Sequence, residues 1–147
     1  MDEIARNLAD GIEAALPGWV ERSVARIFAA WSGGPLPDEV AGAAADAGKR
    51  AGDEVGGRVR ALLMADVDEQ RSTPLAIVRS AVRYPAEVLR AAGVPPVVRD
   101  EFAVRSFPDD EYDLSPATFA DLDPALADVG LAWGAAKAFE HKRRHSA

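Results

Sequence analysis

The stretch AGAAADAGKRAGDEVG, residues 41–56, consists of small side chains interrupted by a few charged ones. Gly48, Gly52 and Gly56 recur at four-residue intervals and extend a face that begins at Ala44. Residues four apart lie on the same side of an α-helix, and small side chains at that spacing let two helix backbones approach closely. The pattern therefore predicts a helix-packing seam on one long helix.

The same glycines have a second interpretation. Each glycine in a helix interior costs about 1 kcal/mol relative to alanine, so Gly56-Gly57 also suits a bend or a break. From Val55 to Leu63 the apolar spacing is typical of an ordinary helix. The segment 38–70 is thus predicted to form either one helix or two.

Two helices are predicted before the seam. Ile4, Leu8 and Ile12 are spaced four apart and predict a helix over 3–16, which Leu16-Pro17-Gly18 interrupts because proline lacks a backbone donor. The second helix, about 18–32, carries an apolar stripe at helical spacing: Val20, Val24, Ile27, Phe28 and Trp31. A connector at 33–37 separates it from the helix that carries the seam.

Prolines mark three helix starts after the seam. Thr73-Pro74, Ser115-Pro116 and Asp123-Pro124 each place a good N-cap residue before a proline at the first helical position. The cap side chain accepts a hydrogen bond from an unpaired backbone donor, and proline has no donor to leave unpaired there. Each pair therefore predicts the first turn of a helix.

Besides the turn of helix after Ser115-Pro116, four helices are predicted in the second half of the chain. One runs from Pro74 to a kink near Tyr84-Pro85, the next covers 85–92 and stops at Gly93, and another runs from Pro95-Pro96 to about residue 106. The last runs from Pro124 to about residue 141. Its predicted buried residues are Leu126, Val129, Leu131, Trp133 and Phe139.

The whole chain is predicted to be one all-α domain. No segment alternates apolar and polar residues as a strand does, and 147 residues suit a single core. We expect a bundle of six to eight helices over 1–147. Residues 1–70 form the long-helix half, and 71–147 form a short-helix half with an acidic loop at 107–123.

The composition disfavours several classes of function. The chain has no cysteine and only two histidines, so disulfides, thiol catalysis and cysteine-based zinc sites are excluded, and nucleophile–base pairs have little material. No phosphate-binding glycine motif is present. We expect neither catalysis nor a cofactor.

The location and the partners follow from charge and hydropathy. The N-terminus lacks the basic and apolar run of a signal peptide, and the longest uncharged stretch, 27–37, is too short to span a bilayer. A net charge of −7 disfavours broad affinity for nucleic acid. We predict a cytoplasmic protein without a membrane or nucleic-acid partner.

Charge is segregated along the second half. Residues 71–106 sum to +3, whereas 107–129 hold seven acids and no base. Two interpretations remain for the basic segment: its arginines bind an anion or an acidic partner, or they pair with the acidic loop of the same chain. The candidate arginines are Arg79, Arg83 and Arg90; the candidate loop acids are Asp109, Asp110, Glu111 and Asp113.

Two clusters have the residue types of a metal site. The loop acids lack the alternating oxygens and central glycine of an EF-hand, so solvation of a surface loop is the favoured interpretation. His141 and His145 stand four apart, a spacing that can share a metal, but three basic residues lie between them. We expect an exposed basic tail and no metal.

Residues 87–102 resemble the middle of a helix-turn-helix in bacterial repressors. Ala92-Gly93-Val94 matches the turn, and Val98 matches a buried position of the second helix. The resemblance implies a DNA-reading helix at 95–102. That helix departs from the pattern, because Pro95, Pro96, Asp100 and Glu101 replace polar or basic readers and Arg99 replaces an apolar residue.

The segment from Thr73 to Asp123 also resembles small uncharacterised proteins of GC-rich Gram-positive bacteria, which implies a bacterial source and no activity. The favoured function is a protein-interaction module that acts by helix–helix contact with itself, as a homodimer, or with a protein partner. The alternative is a regulator that binds a small ligand or nucleic acid through the arginines and the 87–102 corner.

Overall fold

The computed structural model describes residues 2–97 and 110–146, and every regular element within them is helical. The all-α class is therefore confirmed. Three neighbouring elements run on without a break over 74–91 and two over 124–145, so the described chain forms five continuous helical segments, fewer than the six to eight expected. The α-helices are α1 (Asp2–Ser32), α2 (Asp38–Met64), α3 (Pro74–Val78), α4 (Arg83–Ala91), α5 (Phe119–Leu122) and α6 (Ala127–His145); 3₁₀ turns at Arg79–Val82 and Pro124–Leu126 lead into α4 and α6.

The first helix is continuous through Pro17, so the predicted interruption at 16–18 is wrong. Proline removes one backbone hydrogen bond, but apolar burial extends along both halves of the helix and holds it together. Trp31, expected in the apolar stripe, is 49% exposed. The large buried side chains of α1 are Leu8, Ile12, Leu16, Trp19, Val20, Val24 and Phe28.

The seam on α2 packs against α1 of the same chain. A Cβ atom on Gly48 would lie 2.7 Å from the carbonyl oxygen of Pro17, and one on Gly56 would lie 2.8 Å from the Glu13 side chain. Ala44 is buried on the same face. Close packing is therefore the correct interpretation of the glycines, and the helix continues unbroken past Gly57 to Met64.

Gly52 faces the point where Pro17 disturbs α1. A Cβ atom there would lie 3.2 Å from the proline ring and 3.3 Å from the carbonyl oxygen of Glu13. In an uninterrupted helix this carbonyl would accept a hydrogen bond from the backbone N–H of residue 17, which proline lacks. Arg60 of α2 also links the two helices, donating to Asp10 of α1 at 2.6 Å and to Glu13 at 2.8 Å. The two long helices thus form a hairpin around the disturbed turn.

Two of the three predicted helix starts are confirmed. The Thr73 side chain accepts from the backbone N–H of Ala76 at 3.3 Å, and the Asp123 side chain accepts from that of Ala125 at 3.0 Å. Ser115 does not begin a helix. The cap lies at Thr118 instead, where the Asp121 carboxylate accepts from the Thr118 N–H at 2.9 Å.

Helix α4 ends in a Schellman motif. The N–H of Val94 donates to the carbonyl of Leu89, and the N–H of Gly93 donates to that of Arg90, both at 3.0 Å. Gly93 has a φ of +84°, which favours glycine, so the predicted stop is confirmed. Residues 94–97 are not helical, so the predicted helix start at Pro95-Pro96 is wrong. The rest of that segment, where the helix-turn-helix resemblance would put a DNA-reading helix, lies outside the described residues.

The last helix is longer than predicted and shows a different face to solvent. It ends at His145, and Leu126 and Trp133 are buried as expected. Leu131 and Phe139 are 74% and 67% exposed, so their predicted burial is wrong. Leu131 is two residues before Trp133 and Phe139 is six after it. At about 100° per residue, they lie about 160° and 120° around the helix from Trp133.

Candidate functional site

The three candidate arginines make separate contacts. Arg79 donates to the carbonyl of Pro116 at 3.1 Å, Arg83 lies 3.7 Å from Glu54 of α2, and Arg90 lies 3.5 Å from Glu111. The Arg90–Glu111 pair confirms the expected match between the basic segment and the acidic loop. The arginines engage three different parts of the fold and do not converge on one site.

The acidic loop contains one buried carboxylate. Asp110 is only 3% exposed, and its two oxygens accept from the backbone N–H groups of Leu114 and Ser115, each at 2.7 Å. The expected solvation is therefore wrong for Asp110, which fixes the loop backbone. Asp113 is exposed with a φ of 58°, and Asp109 lies outside the described residues.

Tyr84 connects α4 to α2. Its hydroxyl donates to Glu54 and accepts from Arg83 at 3.1 Å, and the Arg83 guanidinium lies 5.0 Å from the ring centre. Burial raises the pKa of the Tyr84 phenol, and the hydrogen bond to Glu54 raises it further. Tyr84 and Arg83 of α4 both contact Glu54 of α2, so the cluster holds the two helices together.

The exposed face of α6 has a symmetric pattern about Ala135. Leu131 and Phe139 lie four residues on either side of it, and Asp128 and Lys142 lie seven residues on either side. All of these residues are exposed, as are Ala132 and Ala138, three residues on either side. At about 100° per residue, the set covers an arc of about 120°. This stripe is called the α6 face below.

A second cluster lies where the C-terminal end of α6 meets the segment after α2. His145 Nε2 lies 3.0 Å from Asp68 Oδ1, and His141 Nδ1 lies 3.9 Å from the same oxygen. Arg144 pairs with Asp66 and lies 3.6 Å from the other Asp68 oxygen. The tail predicted from the sequence is exposed, but it is helical and it contacts the body of the protein.

The segment that carries Asp68 is fixed at both ends of a short turn. Gln70 donates to the carbonyls of Leu62 and Ala65, both at 3.1 Å, which ties the turn to the end of α2. The Asp66 carboxylate accepts from the Asp68 N–H at 3.0 Å. This hydrogen bond, followed by the Arg144 guanidinium, lowers the pKa of Asp66.

Sequence reasoning identified only part of these two surfaces. The four-residue spacing of His141 and His145 was visible, but their carboxylate partner is 73 positions before His141 and no local pattern marks it. The apolar spacing of Leu131 and Phe139 predicts burial in the core, whereas both lie on the exposed α6 face. Its symmetry about Ala135 is the feature that could have distinguished it.

Comparison with protein-family models, with curated proteins and with solved structures finds no match to this chain. Within residues 2–97 and 110–146, no helix has both the length and the apolar character needed to cross a membrane.

Proposed function

We propose that this protein is a non-catalytic interaction module that self-associates through the α6 face. The observation that carries the proposal is the pair of large apolar side chains, Leu131 and Phe139, left exposed on one face of a helix. Single exposed apolar residues are ordinary, but two such residues aligned on one stripe indicate an interaction surface.

The symmetry of the α6 face selects a second copy as the partner. In an antiparallel pair of α6 helices that cross at Ala135, Leu131 of each copy lies beside Phe139 of the other. Asp128 then faces Lys142, and the small Ala135 lets the helices approach. Such a two-fold contact uses the same patch on both chains. Each apolar residue thus meets an apolar residue, and each charge meets its opposite.

The contact between two α6 helices is small. One helix pair buries less than the about 1,200–2,000 Å² of a stable complex, so we expect a dimer with a dissociation constant in the micromolar range. The seam of α2 cannot serve instead, because α1 already covers Gly48 and Gly52. We therefore assign self-association to the α6 face.

The alternative, a regulator that binds a small ligand or nucleic acid, requires the arginines to converge. Arg83 and Arg90 face Glu54 and Glu111, and Arg79 donates to a backbone carbonyl. A phosphate at any one of these arginines would compete with a partner already present. We therefore favour the interaction module.

Sedimentation equilibrium over a concentration series tests the proposal. We expect the wild type to dimerise and the double variant Leu131→Gln/Phe139→Gln to dimerise at least ten-fold more weakly, because two apolar contacts are lost on each side. Met64→Gln is the matched control, since Met64 is 48% exposed and lies on α2. A wild type that stays monomeric at high micromolar concentration would refute the proposal.

A further inference from the structure

We infer that Asp68, His141 and His145 form a binding site for a divalent transition-metal ion of the zinc type. Each residue offers one ligand atom, and the three atoms lie within 4.8 Å of one another. Two imidazole nitrogens and one carboxylate oxygen are a ligand set that zinc accepts, with a fourth position left for water. The site is separate from the proposed dimer contact.

The distances suit a small metal ion. Ligands about 2.0–2.1 Å from a tetrahedral ion are about 3.3 Å apart. Asp68 Oδ1 lies 3.0 Å from His145 Nε2 and 3.9 Å from His141 Nδ1, on either side of that value. The imidazole rings lie 4.4 Å apart between centres. The two ligating nitrogens lie within 4.8 Å of each other, and all three residues are exposed, so their side chains have room to rotate onto one ion.

The surroundings hold the carboxylate in place while leaving one oxygen available. Arg144 approaches Asp68 Oδ2 at 3.6 Å, whereas Oδ1 faces the histidines. A charged group on the second oxygen orients a ligating carboxylate. Asp66 balances the charge of Arg144, with which it pairs. Lys137, which also lines the cleft beside the site, lies 5.0 Å from the Trp133 ring centre.

The three residues line a cleft of about 540 Å³ between α6 and the turn after α2. Gly134, Ala138 and the two histidines line the α6 side, and Val67 and Gln70 line the other. The histidines lie on the flank of α6 about 80–120° from Ala135, outside the α6 face. A metal ion would therefore fasten the end of α6 to the turn without covering Leu131 or Phe139.

Isothermal titration of tag-free protein with zinc chloride tests the inference. We expect one ion per chain, with affinity at least ten-fold weaker in His141→Ala, His145→Ala and Asp68→Asn, because each removes one ligand. Arg143→Ala, an exposed change on the same helix turn that removes no ligand, should bind as the wild type does. Magnesium, which prefers oxygen ligands, should not compete.

Two controls make the result decisive. Nuclear magnetic resonance of the chain's two histidines should show both imidazole signals shifting together during the titration. Leu131→Gln should bind zinc as the wild type does, which separates the site from the dimer. Wild-type affinity within two-fold of the His141→Ala/His145→Ala double variant would overturn the inference. One ion per two chains would also overturn it, because the site would then lie between copies.

Discussion

Gly48 of α2 packs directly on the backbone of Pro17 in α1. A Cβ atom on Gly48 would lie 2.7 Å from the Pro17 carbonyl oxygen and 3.0 Å from its α-carbon. Backbone atoms in the middle of a helix cannot move aside as the end of a flexible side chain can. The hairpin of α1 and α2 therefore requires the absence of a side chain at residue 48.

Gly48→Ala tests this contact against a matched control. Alanine normally stabilises a helix interior by about 1 kcal/mol relative to glycine, but at residue 48 we expect a net loss of about 1–3 kcal/mol from overpacking. Gly57→Ala, on the same helix with nothing within 4 Å of its added Cβ, should raise stability. Urea denaturation measures both. A Gly48→Ala variant as stable as the wild type would contradict the packing.

The proposed dimer predicts a rescue by charge exchange. Asp128→Lys places two like charges opposite each other at both ends of the antiparallel pair, and we expect dimerisation about ten-fold weaker. Adding Lys142→Asp restores opposite charges and should bring the dissociation constant back to within about two-fold. Sedimentation at low salt measures the exchange, since salt screens exposed charges. Failure of the second change to restore affinity would argue against the antiparallel register.

The two tyrosines predict a loss of stability at alkaline pH. Burial raises the pKa of both Tyr84 and Tyr112 above the ordinary value of 10.0. Above pH 10 the unfolded chain therefore releases these protons while the folded chain keeps them, so the free energy of unfolding falls as the pH rises. Ultraviolet absorbance should show neither phenol ionising at its ordinary pH in the folded protein. Tyr84→Phe should reduce the alkaline slope of stability.

Asp110 predicts that one acid of the loop is structural. Removing its carboxylate leaves the backbone N–H groups of Leu114 and Ser115 without their acceptor in the folded loop. Asp110→Ala should therefore lower the free energy of unfolding by about 3 kcal/mol. Glu111→Gln breaks the Arg90 pair, in which both side chains are partly exposed, and should cost less than about 1 kcal/mol. Thermal melts compare the two directly. Equal losses would show that Asp110 has no special role.

Local chemistry explains which parts of the fold were predictable. The caps at Thr73 and Asp123 and the stop at Gly93 depend on neighbouring residues, so sequence alone identified them. Pro17 was assigned as a break because the rule for proline is local. Its place inside α1 is supported by apolar burial along both halves of the helix and by α2, whose Gly52, 35 positions later, packs against the disturbed turn.

The candidate site was harder to predict for the same reason. The Arg90–Glu111 pair was predictable because the basic segment 71–106 is followed directly by the acidic segment 107–129. The cluster of Asp68 with His141 and His145 depends on how α6 returns to the end of α2, which no periodicity encodes. The burial of Leu131 was assigned from apolar spacing, and spacing alone does not distinguish a core stripe from an interface stripe.

The five-residue connector between α1 and α2 has a consequence for the order of folding. It makes the largest helix interface one between segments that are adjacent along the chain, and such local contacts form fast. Helix α6 also packs on α1, but only after nearly the whole chain has closed into a loop. We expect the hairpin to be the kinetic nucleus and α6 to dock last. Pulsed hydrogen exchange during refolding should then find the amide hydrogens of the hairpin protected before those of α6.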